Sequence, residues 1–306
     1  MIKFYSCEEE GIVEREEWQP HYWINADCPD EDDCNMLDGL GVPKSFMENV
    51  ADIDERPRFD HEDGWLMTIV RIPVHSRHDG LTYRTVPLGI MTKDDMIITV
   101  CFVRNDMIAD FIDHCNKRRI SITNQPDFVL RIIFSSTYWF LSYLKNINDT
   151  AVRYTRQLSR GVSNDVLLRM MELQKALVYF NTSLQGNNLL VERLDKVFVA
   201  DCDPELAEDV AIELGQAINT ANVYMEILGN SMDTFASVIS NNVNNVMKTM
   251  TSLSIILMIP TVVASFYGMN VDVWSGSGTH AFLFIILFSF ALSALVWYIL
   301  RRKGWL

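Results

Sequence analysis

The sequence predicts an α/β domain, then a long stalk helix, then a two-helix transmembrane hairpin. Three observations carry this reading. The first 120 or so residues hold short β-branched runs divided by turn residues, helical periodicity is unbroken after Pro204, and the last sixty or so residues hold two uncharged apolar runs, Met250 to Phe266 and Ala281 to Leu300. Each run, at roughly 17 to 20 residues, is long enough to cross a hydrocarbon layer of ~30 Å as a helix rising ~1.5 Å per residue.

Taken in order, Gly64 to Val74, Leu81 to Thr92 and Met96 to Phe102 read as strands, with His78, Asp79 and Gly80 as the turn between the first two. Asp27 to Asp33 reads as an acidic, solvated loop, and Glu48 to Ile53 as a short helix closed by Arg56 and Pro57. These elements make an α/β domain over residues 1–125. Residues 126–203 read as helical, with breaks near Gly161 to Asp165, Gly186 to Asn188 and Asp201 to Pro204. Pro204 suits the first turn of a new helix capped by Asp203. From there Val210, Leu214, Ala217, Ala221, Tyr224, Leu228, Phe235 and Val238 keep a three- and four-residue spacing. With no proline before Pro260, residues 204–268 read as one helix continuing into the first span. A loop over 269–280 and a second span with a basic tail over 281–306 complete the chain.

Outside the hairpin, a 49% hydrophobic and 22% charged composition is ordinary for a globular protein. From Val246 onward the only charges are Lys248, Asp272, Arg301, Arg302 and Lys303. Subtracting these from the chain's 26 bases and 40 acids leaves 22 bases and 39 acids upstream, a formal charge of −17 against +3 for the hairpin. That balance argues against nucleic-acid binding and favours accumulation of cations. Positive residues flank the hairpin on one side only, so the positive-inside tendency predicts cytoplasmic N- and C-termini, an outward loop and residence in the cell membrane. No signal peptide is visible, and six cysteines without a CxxC pair fit free thiols in a reducing compartment.

A second, polar stripe runs along the stalk and the first span: Asp233, Ser237, Ser240, Asn244, Met247, Thr251, Ser254, Met258, Thr261, Ser265 and Gly268. Every step is three or four residues, so these side chains share one helix face. One reading is that the serines and threonines bond to their own helix or let helices approach closely. The other is a water-facing surface that ends at Gly268, Met269 and Asn270. Such a lining suits Mg²⁺, which gives up its water reluctantly and is held by hydrogen bonds to its hydration shell. Asn270 adds a carbonyl to the negative end of the helix dipole, and Met247 and Met258 suit narrow apolar gates. No GxxxxGK[ST], GxSxG or HExxH sequence occurs, so neither a nucleotide-driven pump nor an enzyme is expected.

Several of these residues resemble the CorA family of magnesium channels. They are Tyr267-Gly268-Met269-Asn270, the two C-terminal spans, the tail Arg301-Arg302-Lys303-Gly304-Trp305-Leu306, Asn244-Asn245-Val246-Met247-Lys248, and the segment from Glu48 through Arg56-Pro57. The resemblance implies a homopentamer with a funnel-shaped cytoplasmic α/β/α domain, a pore lined by the first span, and an entrance at Tyr267, Gly268, Met269 and Asn270. It also implies a regulatory Mg²⁺ site between neighbouring subunits, with Asp209 and Glu208 on one wall and Glu48 and Asn49 on the other. The expected activity is passive Mg²⁺ uptake, closed by cytoplasmic Mg²⁺, with Co²⁺ or Ni²⁺ as further cargo. A zinc transporter of the same fold is the alternative within the class, and a membrane-anchored sensor without a pore is the alternative outside it. His280, and the pair His75 and His78, read as an interfacial contact and a turn rather than metal ligands.

Overall fold

The computed structural model describes residues 1–8, 11–75, 82–158, 163–197, 202–269 and 279–305. They form two compact units, 1–231 and 232–306. The first is built on a seven-stranded sheet of order β2-β1-β3-β7-β6-β5-β4, from β1 (Ile2–Glu8), β2 (Gly11–Arg15), β3 (Trp23–Asp27), β4 (Arg58–Glu62), β5 (Trp65–His75), β6 (Tyr83–Lys93) and β7 (Met96–Cys101). All neighbours pair antiparallel except β3 with β7, which are parallel. The three strands expected from β-branched runs are β5, β6 and β7, and the expected turn at His78 to Gly80 lies outside the described residues. A two-residue turn with positive φ at Asp63 and Gly64 joins β4 to β5, the backbone that an Asp-Gly pair adopts most readily.

Helices cover both faces of this sheet, so β5 is buried along nearly its whole length instead of alternating with water. On one face, Leu37 of α1 (Glu31–Gly39) and Phe46 and Val50 of α2 (Lys44–Ala51) close over Ile24, Ala26, Met67, Ile69 and Val100. Val50 sits directly on Gly89, where any Cβ would fall 2.4 Å from its methyl group. On the other face, Trp23 packs against Tyr5 at a tilt and edge-on against Phe111 of α3 (Met107–Arg118) and Phe128 of α4 (Gln125–Leu158). Its indole N–H donates to Thr99 Oγ1 (2.8 Å), whose hydroxyl donates on to Asn25 Oδ1 (2.8 Å), so a buried polar chain is fully matched.

Three local expectations are corrected. Asp27 to Asp33 is not a plain loop, because Asp30 caps α1: its carboxylate accepts from the Asp33 N–H (2.9 Å) and Asp33 accepts from the Asp30 N–H (3.2 Å). Glu31, Asp32 and Asp33 then occupy the first turn, where the helix dipole favours negative charge. The short helix expected at Glu48 to Ile53 begins earlier, at Lys44 after Pro43, and ends at Ala51. The break expected near Gly186 to Asn188 does not occur, since α5 (Asn164–Val197) runs straight through it. Asn187 is fully buried, and its amide accepts from the Arg71 N–H (2.9 Å) and donates to the Arg71 carbonyl (2.8 Å). Gly186 lets the helix meet Pro57, whose Cγ would lie 2.7 Å from a Cβ there. The Gly-Asn pair is a docking point on the sheet.

The long helix α6 (Pro204–Tyr267) is unbroken at Pro260, and Asp203 Oδ1 accepts from the Glu205 N–H (3.0 Å) at its start. Within residues 1–231 it buries Val210, Leu214, Ala217, Ala221 and Leu228. Its end in this unit shares a narrow groove with Asn148 and Ala151 of α4 and Leu177 of α5. The second unit consists of the rest of α6 and α7 (Thr279–Arg302), and both helices are long and apolar enough to cross a membrane.

Candidate functional site

The described part of the polar stripe is exposed at every position from Asp233 to Gly268, including Met247 at 60% and Met258 at 61%. The covered face of α6 in this unit is a different one. Ser252 is fully buried, and Ile256, Ile259, Pro260 and Val263 are half-buried. On α7 the covered positions are buried Ser289 and Ser293 with half-buried Ile285, Leu292, Val296 and Leu300. At ~100° per residue the centre of the covered face of α6 lies about 180° from the centre of the stripe. The buried positions on these covered faces are the serines Ser252, Ser289 and Ser293, small side chains of the kind that let membrane helices approach closely. The second helix of the hairpin therefore occupies the back of α6 and leaves the stripe uncovered.

Three of the six hydroxyls on the stripe bond to their own helix. Ser237 Oγ donates to the Asp233 carbonyl (3.0 Å), Ser254 Oγ to the Met250 carbonyl (3.0 Å) and Thr261 Oγ1 to the Leu257 carbonyl (3.2 Å). The local reading of these residues is correct, and it does not exclude the other one. A hydroxyl that has spent its proton on the backbone keeps its lone pairs, so it faces outward as an acceptor. Metal-bound water is a donor, and an acceptor surface is what a hydrated cation requires.

At the end of α6 the Gly268 N–H donates to the carbonyls of Ala264 (3.0 Å) and Ser265 (3.2 Å), closing the last turn at Tyr267. Met269 is exposed, and Asn270 lies outside the described residues. The regulatory carboxylates expected from resemblance sit on separate elements. Glu208 and Asp209 are exposed in the second turn of α6, Glu48 is exposed on α2, and Asn49 beside it is half-buried. Among the described residues, a single chain gathers no group of three His, Cys, Asp or Glu side chains able to hold a metal. His75 packs edge-on to Tyr83 (5.2 Å), while His78 and the side chain of His280 are outside the described residues. Sequence reasoning missed the serine seam, although Ser289 and Ser293, one helical turn apart in an apolar run, were its visible trace.

Comparison with known proteins decides the family. The model of the CorA-like Mg²⁺ transporter protein matches residues 18–302. The chain belongs to that family. The cobalt/magnesium transport protein CorA of Methanocaldococcus jannaschii is 25% identical over 292 residues, covering 93% of this chain and 91% of the relative. That of Thermotoga maritima is 20% identical, covering 88% and 79%. Among solved structures, the complete CorA magnesium transporter of M. jannaschii superposes with a TM-score of 0.85 at 21% identity, covering 100% of this chain and 99% of the other. The cytoplasmic domain of ZntB from Vibrio parahaemolyticus gives 0.60 at 14% identity, covering 79% and 97%. The CorA-type fold read from the sequence, an α/β domain followed by a long helix and two apolar C-terminal helices, is the fold this family member has.

Proposed function

We propose that this chain is a passive divalent-cation channel with Mg²⁺ as its main cargo and Co²⁺ as a second, assembled as a homopentamer with the α6 stripe around the central axis. The observation that carries the reading is the placement of α7 on the back of α6. One helix cannot enclose a pore, and a face of hydroxyls, an amide and thioethers left uncovered by its own hairpin suits a shared, water-filled interior. Lone pairs on Ser254 and Thr261 accept hydrogen bonds from a hydrated ion, Met247 and Met258 narrow the path, and Asn270 forms the entrance. A membrane potential of ~100 mV, negative inside, supplies about 4.6 kcal/mol for a divalent ion, so inward flux needs no other energy source. Both chain termini are then cytoplasmic, following the basic residues that flank the hairpin.

In this reading Asp209 and Glu208 of one subunit and Glu48 and Asn49 of the next hold a regulatory Mg²⁺ that keeps the channel shut. Exposed Ile212, Val223 and Ile227 on α6 supply apolar surface for the same contact between neighbours. Flux through reconstituted protein tests the pore: Asn270→Ala is expected to abolish Mg²⁺ uptake with the oligomer intact, and unchanged uptake would remove Asn270 from the entrance. Asp209→Ala is expected to weaken Mg²⁺ protection of the stalk against proteolysis, and equal protection in mutant and parent would remove the regulatory assignment. Running Mg²⁺, Co²⁺ and Zn²⁺ side by side, with and without a pH gradient, separates the magnesium reading from a proton-coupled zinc transporter.

A further inference from the structure

The last turn of α7 carries two arginines held in a particular way. Arg301 lies over the Trp297 ring at 5.1 Å and Arg302 over the Tyr298 ring at 5.8 Å, each one helical turn from its aromatic partner. Stacking uses the face of a guanidinium and leaves its N–H edge free to form paired hydrogen bonds to an oxyanion. Neither arginine has an acidic partner among the described residues. Beyond Asp233 the rest of the sequence offers only one more acid, Asp272.

These arginines are not needed to finish the helix. Gly304, at φ +71°, donates its N–H to the Arg301 carbonyl (3.1 Å), and the Trp305 N–H donates to the Leu300 carbonyl (3.1 Å). That is a Schellman closure, in which backbone N–H groups alone satisfy the Leu300 and Arg301 carbonyls. Three full positive charges at Arg301, Arg302 and Lys303 then face roughly half a negative charge from the helix dipole. Trp297, Tyr298 and Trp305 are exposed and of the type that settles at headgroup depth, which in a helix crossing the bilayer sets the neighbouring guanidinium groups at the level of lipid phosphates.

We propose that this end of α7 is a binding site for an anionic phospholipid, with the lipid phosphate held by the edges of Arg301 and Arg302. The proposal rests on α7 crossing the bilayer and is independent of the pore. The −17 remainder of the chain repels anionic lipid, so retention of such a lipid is assigned to this cluster.

The test uses the full-length protein in neutral detergent, titrated with phosphatidylglycerol, phosphatidylcholine or inorganic phosphate, and reads thermal midpoint and bound lipid by native mass spectrometry. Phosphatidylglycerol is expected to bind and raise the midpoint where phosphatidylcholine does not. Arg301→Gln and Arg302→Gln should each weaken its apparent affinity about fivefold. Arg301→Lys with Arg302→Lys keeps the charge and loses both the planar edge and the stack, so it should also bind more weakly than the parent. Equal effects of the two lipids, or a lysine variant indistinguishable from the parent, would overturn the built site in favour of diffuse attraction. Inorganic phosphate that reproduces the phosphatidylglycerol shift would overturn the lipid as its occupant.

Discussion

Asn187 and Ser252 are both fully buried polar residues inside long helices, yet their surroundings differ. The Asn187 amide is matched on both sides by the Arg71 backbone, whereas the Ser252 hydroxyl has no partner. Asn187 is a specific joint between helix and sheet. Ser252 is a small residue on the covered face of its helix, of the kind that lets two helices close up. The same contrast holds for apolar surface. Ile69, Val70, Ile72 and Leu88 are sealed by their own chain, while Leu253, Leu257, Leu287 and Phe290 are mostly exposed. Residues 1–231 make their own interior, and residues 232–306 leave most of their apolar surface exposed, as a surface built for other contacts does.

The largest expected effect is on the joint. Asn187→Ala leaves an N–H and a carbonyl of Arg71 without partners, and at ~1–3 kcal/mol for each the loss should be about 2–6 kcal/mol in chemical denaturation of the first unit. A loss below about 1 kcal/mol would make the contact incidental and erase the contrast. Gly186→Ala comes next. Its Cβ collides with the Pro57 ring and should cost about 1–3 kcal/mol by overpacking. Pairing it with Pro57→Ala should recover much of that loss, and strict additivity of the two would place the strain elsewhere.

A sealed interior also has a pH signature. Burial pushes the Cys101 thiol up from 9.0 to about 12, so the folded chain holds that proton more tightly than the unfolded one. The stabilisation is complete below pH 9 and is lost as pH rises from 9 to 12. Cys101→Val should flatten the fall in stability over that range, and alkylation at pH 8 should label exposed Cys28 and spare Cys101. The smallest effect is expected in the hairpin. Ser252→Ala deletes a hydroxyl with no partner and should change stability by less than about 1 kcal/mol, whereas Ser252→Leu should open the seam. A large loss for the alanine variant would show that Ser252 is bonded in the membrane.

Local pattern carried the long elements well. β5, β6 and β7 are β-branched runs, and the buried face of α6 up to Leu228 follows its three- and four-residue spacing. The pattern failed where a residue type has two uses. Asp30 to Asp33 looks like a charge run, and only the reciprocal bonds between Asp30 and Asp33 make it a helix start. Gly186 and Asn187 are ordinary helix breakers, and only the approach of Pro57 and Arg71 explains their place inside α5. On α6 the stripe was legible as a row, but which face α7 would cover was not, because serine occurs both on the stripe at Ser254 and in the seam at Ser252.

What the sequence determined alone was anything set by spacing along one element: two apolar spans, one long helix, a polar row on it, and the −17 to +3 division of charge. Spacing has that power because backbone geometry repeats every few residues and needs no partner. The tertiary structure decided which face of α6 is covered and which buried polar groups are matched. Those outcomes depend on surfaces brought together from distant parts of the chain, and single-element periodicity does not encode them.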